Sequence, residues 1–198
     1  GRTQRRPRMR SEQSNAGRLR NMILISERPP EVEDRAVPGH REGDLIIGKN
    51  GRSAIGTLVE RSSRFVALLH LPHGRTAEDV CAALTRQVSR LPIVLRRTLT
   101  LDRGNEMADH VKFTTATSMA VYFCDPHSPW QRGSNENTNG LLRQYFPKGK
   151  SLAGVSQERL DEVAGKLNRR PRETLGFRTP AEKLAELIEG LETTGAER

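Results

Sequence analysis

The sequence predicts a mixed α/β sheet flanked by helices, in which three antiparallel strands are followed by two parallel ones. Three observations lead there. Three short runs rich in Ile, Val, Leu and Thr crowd between residues 43 and 71, and Asn50-Gly51 separates the first two. An amphipathic stretch of crossover length then precedes another short apolar run at residues 98–101. Beyond residue 156 the apolar residues recur at helical spacing. Strands first and helices last describe one sheet with helical cover.

Before the sheet, Arg2, Arg5, Arg6, Arg8, Arg10, Arg18 and Arg20 face Glu12 alone, with almost nothing apolar to form a core. Residues 1–38 are therefore expected to be a largely disordered basic arm and a proline-stiffened linker, with order beginning near His40. The arm is either a follower of phosphates or a solvated linker. Residues 43–48 form the first strand, Asn50-Gly51 a type I′ turn, 53–60 the second strand and 64–71 the third. Alternation puts Asp44 on the side of Ile46, and Leu45 with Ile47 on the other.

Thr76-Ala77-Glu78-Asp79 has the form of a capping box, and Val80, Leu84, Val88 and Leu91 follow at helical spacing until Pro92. The strand at 98–101 delivers Asp102 at its carboxyl end. A short helix at 110–117 and a strand at 119–124 come next. The loop Asp125-Pro126-His127-Ser128-Pro129-Trp130-Gln131-Arg132-Gly133 then feeds a helix over 134–145. Ser134 is its expected N-cap, which sets Glu136 in the first turn, where the helix dipole favours a carboxylate. Asn139 and Arg143 share the face of Glu136, beside Gly140, which would allow close approach. Helices at 156–168, with Leu160, Val163, Ala164 and Leu167, and from Thr179-Pro180-Ala181-Glu182 onward are expected to cover the core. Residues 193–198 are expected to be a disordered tail.

A net charge of +9 and a pI near 10.3 favour a polyanionic partner, nucleic acid first. Cys81 and Cys124 lie far apart, so neither a disulfide framework nor a zinc site is indicated, and a reducing cytosol fits. No run of about 18 apolar residues suggests a membrane partner.

Asp44, Asp102 and Glu136 stand out chemically. If the first and fourth strands are neighbours, the three converge at one sheet end, a set of hard oxygen ligands suited to Mg²⁺ or Mn²⁺. A pair of such ions supports in-line phosphoryl transfer with no side-chain nucleophile. Each residue also has a plain structural use: Asp44 in turning a strand, Asp102 in bracing Arg103-Gly104, Glu136 as an ordinary first-turn glutamate. Glu42, Glu106, Asp109 and Asp125 are rival carboxylates. Arg132, Arg143, Lys148 and Lys150 are candidate phosphate contacts, with Asn139 as a further DNA-facing side chain. His127 reads as a loop hydrogen-bonder, and Trp130 as a packing anchor before a base-stacking platform.

Several of these stretches carry a family likeness. Gly39-His40-Arg41-Glu42-Gly43-Asp44-Leu45-Ile46-Ile47-Gly48-Lys49, Leu99-Thr100-Leu101-Asp102-Arg103-Gly104-Asn105-Glu106-Met107 and the whole of 124–149 resemble the catalytic domain of insertion-sequence-thirty family transposases, members of the DDE recombinase superfamily. The likeness covers roughly residues 26–190. It implies a ribonuclease-H-like domain over 39–192, with Asp44, Asp102 and Glu136 as catalytic and metal-binding triad, served by two Mg²⁺ or Mn²⁺ ions. The thirty-three residues between Asp102 and Glu136 match the family's usual spacing. It further implies strand cleavage at element ends, transfer into target DNA, a homo-oligomer on DNA, and a bacterial cytoplasmic, nucleoid-associated setting. Arg143 falls where related recombinases place a basic DNA contact. Family members commonly carry tryptophan where Arg41 and Leu101 stand. A DNA-binding or regulatory remnant without activity and a structure-selective nuclease of the same fold are the alternatives.

Overall fold

The structure is a computed structural model in which residues 19–196 are described. In chain order its elements are α1 (Glu31–Asp34), β1 (His40–Ile47), β2 (Ala54–Glu60), β3 (Val66–His70), α2 (Ala77–Val88), β4 (Thr98–Leu101), α3 (His110–Thr117), β5 (Ala120–Phe123), α4 (Gly133–Leu142), α5 (Gln157–Asn168) and α6 (Pro180–Ala196). The sheet runs β3-β2-β1-β4-β5. β1 pairs antiparallel with β2 and parallel with β4, which makes the first and fourth strands neighbours as the sequence reading required. β2 to β3 is antiparallel and β4 to β5 parallel, so the predicted mixed sheet is the observed one.

Local chemistry explains most joints. Asn50 and Gly51 both take positive φ, 56° and 69°, which is the type I′ geometry that lets β1 return as β2. The Thr76 hydroxyl accepts from the Asp79 N–H and starts α2. Thr179 and Glu182 exchange hydrogen bonds at the head of α6, a full capping box. Gly43 is required by packing, because a Cβ there would lie 2.7 Å from a Leu101 methyl on β4.

The two sheet faces carry separate cores. Leu58, Leu69, Val80, Leu84, Leu99, Phe113 and Phe123 close one beneath α2 and α3. Ile46, Ile55, Val59, Leu142, Leu160, Val163 and Leu167 close the other beneath α4 and α5. Asp44 shares its strand side with Ile46 and so faces α4.

Four boundaries differ from expectation. Order begins well before His40: Leu24 bridges to Phe123, Val32 in α1 is fully buried, and the largely buried Arg28 donates to Thr100 on β4. Two buried side chains are enough to seat that segment. Residues 1–18, the bulk of the predicted arm, lie outside the described residues. The expected tail is instead helical as far as Ala196, with no proline in that stretch to stop α6. α6 is also thinner cover than its stripe suggested, with Leu184, Leu187, Ile188 and Leu191 half-buried. Finally, α4 starts one residue before Ser134 and ends at Leu142. A 3-10 turn at Pro129–Arg132 leads directly into it, so no N-cap is needed, and the Ser134 hydroxyl instead accepts from Arg64.

Candidate active site

β1 and β4 deliver two carboxylates to one place. Asp44 sits opposite Thr57 in the middle of β1, and its Oδ1 accepts the Leu45 N–H at 2.8 Å. Asp102 follows the last residue of β4, and its Oδ1 accepts the Gly104 N–H at 3.2 Å. Arg132, at the end of the 3-10 turn, lies between them: one guanidinium nitrogen is 3.1 Å from Asp44 and the other 3.4 Å from Asp102. The first of these also donates to the Gly43 carbonyl at 3.0 Å. Burial works against the Arg132 charge, but Asp44 and then Asp102 outweigh it and raise its pKa above the ordinary value. From α4, Asn139 Nδ2 donates to the other Asp44 oxygen at 2.8 Å. Arg132 Nε and Asn139 Oδ1 are buried here without hydrogen-bond partners.

Glu136 is in the first turn of α4, one turn before Asn139, and is exposed. Among the described residues no three His, Cys, Asp or Glu side chains are grouped closely enough to hold a metal ion. The structure thus brings Asp44 and Asp102 around a single guanidinium and leaves Glu136 outside that pair, exposed in the first turn of the helix that carries Asn139. Arg143 caps the end of α4 and donates to the carbonyls of Phe146 and Ile47, while Lys148 and Lys150 are exposed beyond it. Gly140 is not there for close packing, since an added Cβ would meet nothing within 4 Å. Gly140→Ala is accordingly expected to stabilise the free protein by about 0.5–1 kcal/mol, the helix-interior difference between the two residues. Chemical denaturation would show it, and a loss of stability would mean that α4 is strained at that point.

Sequence reasoning missed the residue that seats α4. Glu42, named only as a rival carboxylate, is completely buried, two residues before Asp44 on the same strand side. It lies 3.2 Å from an Arg61 nitrogen and accepts the Asn135 N–H at 2.8 Å. The Thr57 hydroxyl donates to the Asn135 side chain at 2.9 Å. Burial lowers the Arg61 pKa, and the Glu42 charge opposes that shift. The available signal was a second acid at i, i−2 from Asp44, with an arginine waiting at the end of β2.

The other rivals lie elsewhere. Glu106 and Asp109 line a small apolar cavity beside α2 and α3, and Asp125 is held by Arg103 and Gln131. Arg41 is buried on the opposite strand side from Asp44, donating to the Leu95 carbonyl, with its pKa lowered to about 10 by burial. Leu101 is in the core beneath α2. Both side chains therefore lie on the sheet face away from α4. Trp130 is not a packing anchor, since 70% of it is exposed.

Comparison with known proteins adds the following. A model of the integrase core domain matches residues 34–129, a span that contains Asp44 and Asp102 and stops short of Glu136. The chain is 52% identical over 187 residues to the transposase for insertion sequence element IS1086 of Cupriavidus metallidurans, covering 94% of this chain and 55% of that protein. It is 52% identical over 162 residues to transposase InsI for insertion sequence element IS30A of Escherichia coli, covering 82% of this chain and 42% of that one. With the transposase for insertion sequence element IS4351 of Bacteroides fragilis it shares 39% over 176 residues, 88% and 53% of the two chains. The chain thus spans about half the length of the curated relatives it matches. A chain in the cryo-EM structure of the simian T-cell lymphotropic virus intasome with PP2A regulatory subunit B56 gamma superposes with a TM-score of 0.59 at 19% identity, over 75% of this chain and 55% of that one. That likeness is one of fold, ribonuclease-H-like α/β.

Proposed function

Since the chain belongs to the insertion-sequence-thirty family of transposases and contains an integrase core domain, we propose that it cleaves DNA strands at element ends and joins them to target DNA by phosphoryl transfer. The observation that carries this reading is the convergence of Asp44 and Asp102 on one cation, with α4 and its Glu136 alongside.

The donor chemistry fits a divalent metal ion. Asp44 and Asp102 already share one positive charge, and the carboxylate donors are all hard oxygens. Asp44 and Asp102 would hold Mg²⁺ or Mn²⁺, with Glu136 as the third carboxylate and two ions as the full complement. The ions would supply activation of the attacking water or 3′-hydroxyl and neutralisation of the leaving oxygen. The chain's own groups do the rest. Arg132 offsets the repulsion between the aspartates and aims their oxygens at one point. Asn139 fixes the rotation of the Asp44 carboxylate. The buried Glu42 network holds the first turn of α4, and with it Glu136, against β1. Arg143, Lys148 and Lys150 are the contacts proposed for a phosphate backbone leaving the site.

DNA is the partner in this reading, engaged by a homo-oligomer, and bacterial cytoplasm with its nucleoid is the setting. Among the described residues no helix is long and apolar enough to cross a membrane.

The test is a cleavage and joining assay on element-end DNA in Mg²⁺, in Mn²⁺ and in a chelator. Metal-dependent nicks and joined products are expected, and Glu136→Gln should lower both by about a hundredfold or more, as when one electrostatic group is removed from a preorganised site. Nicks without joined products would favour a structure-selective nuclease. DNA retention with no metal-dependent turnover would favour an inactive remnant.

A further inference from the structure

Two cavities share Arg35 and Arg61 and are lined by cations that touch neither Asp44 nor Asp102. The first, about 420 Å³, runs from Arg28, Arg35 and Arg61 to Trp130 and Gln131, with Glu33 and Asp125 as its acids. The second, about 370 Å³, shares Arg35 and Arg61 and continues past Arg64 to Arg178 and Lys183, with no acidic lining residue at all. Both have the size of a ligand cleft. Arg28 and Arg61 are committed to Glu33 and Glu42, and Arg178 with Lys183 to Glu186. Arg35 has no hydrogen-bond or ion-pair partner among the described residues, and Arg64 reaches only the neutral Ser134 hydroxyl. Burial, then the neighbouring Arg35, holds the Arg64 pKa below its ordinary value. Such crowding of like charge is relieved by an anion.

Two exposed aromatic side chains belong to the segments that form these cavities. Trp130, 70% exposed, lines the first cavity; Phe177, 72% exposed, does not line the second but belongs to the loop that supplies its Leu175 and Arg178. Among the described residues these are the aromatic side chains left exposed. Phe177 is held at φ 62°, an unfavourable conformation for a bulky residue, by backbone hydrogen bonds that close the loop from Arg172 to Arg178. Cationic walls with aromatic platforms suit a strand whose bases are free to stack, whereas a duplex hides its base faces. Trp130 and Gln131 immediately precede Arg132, so one 3-10 turn supplies both a wall of the first cavity and the guanidinium between the aspartates.

We propose that this cleft binds an unpaired stretch of DNA strand adjoining the cleavage site, with bases on Trp130 and Phe177 and phosphates toward Arg35, Arg64 and Arg178. The proposal rests on the catalytic reading above only for the strand's origin. Its test needs no catalysis: without divalent ions, labelled oligo(dT) and a blunt duplex of the same length are titrated by anisotropy. Trp130, the sole tryptophan, reports stacking by fluorescence quenching. The single strand should quench that emission while the duplex does not. Trp130→Ala should weaken single-strand binding about tenfold. Arg35→Gln and Arg178→Gln should each weaken it too and lower the salt slope by about 0.7, the single-strand value per phosphate contact. Thermal melting of each variant checks its fold, and Trp130→Phe should retain binding. Equal quenching by duplex, or unchanged single-strand affinity in Trp130→Ala, would overturn the proposal. If it fails while metal-dependent cleavage persists, only the cleft assignment is lost; strand binding without cleavage would remove only the catalytic assignment.

Discussion

Asp44→Asn and Asp102→Asn are each expected to lower metal-dependent strand cleavage by about 10²–10³-fold, the order seen when one preorganised charge is removed from a reacting centre. The two should differ in the metal-free protein. Asp44 accepts from Leu45, Asn139 and Arg132, and its side chain is 25% exposed, whereas Asp102 is 40% exposed and has Gly104 and Arg132. Asp44→Asn should therefore cost more stability, because it disturbs more bonds in a drier place. Paired with the cleavage assay, calorimetric titration of Mn²⁺ should show weakened binding in both variants. Parental Mn²⁺ affinity and parental cleavage in either one would remove that aspartate from the site.

Glu42→Ala is expected to unfold at much lower denaturant. Removing one partner of a buried ion pair costs about 3–5 kcal/mol, since the remaining charge stays buried. Here the lower end applies, because Arg61 keeps Glu33 at 3.7 Å. The Asn135 N–H would also lose its acceptor, so the first turn of α4 should loosen. Glu42→Gln restores an acceptor for that N–H without the charge and should fall between Ala and the parent. Urea denaturation measures the stability, and hydrogen exchange at the start of α4 measures the loosening. A parental midpoint for Glu42→Ala would show that the network does not hold the helix.

The strands and their order were legible because each carries local chemistry: Asn50-Gly51 fixes one joint, and Thr76 starts the helix whose length permits a parallel return. Asp44 and Asp102 were legible as candidates because an acid in or just after an apolar strand is conspicuous. Arg132 as their bridge was not, since a loop arginine reads equally well as a phosphate contact until the fold places it. Glu42 was hidden for the same reason: its partners, Arg61 and Asn135, are distant in sequence, and no spacing rule links them. Segment 24–34 was misjudged because prolines and charges outweighed Val32 and Arg28, whose burial depends on a sheet surface not yet folded around them. Ser134 was misassigned as a cap because the preceding 3-10 turn is set by tertiary packing.

β1 lies at the centre of the sheet, bonded to an antiparallel neighbour on one edge and a parallel one on the other. A slip of one residue against either would turn Asp44 toward α2 and bring Leu45 to the opposite side. A half-folded or misregistered chain thus lacks the pairing of Asp44 and Asp102 on Arg132. Under the proposed function, competence to cleave would arrive only with the finished sheet.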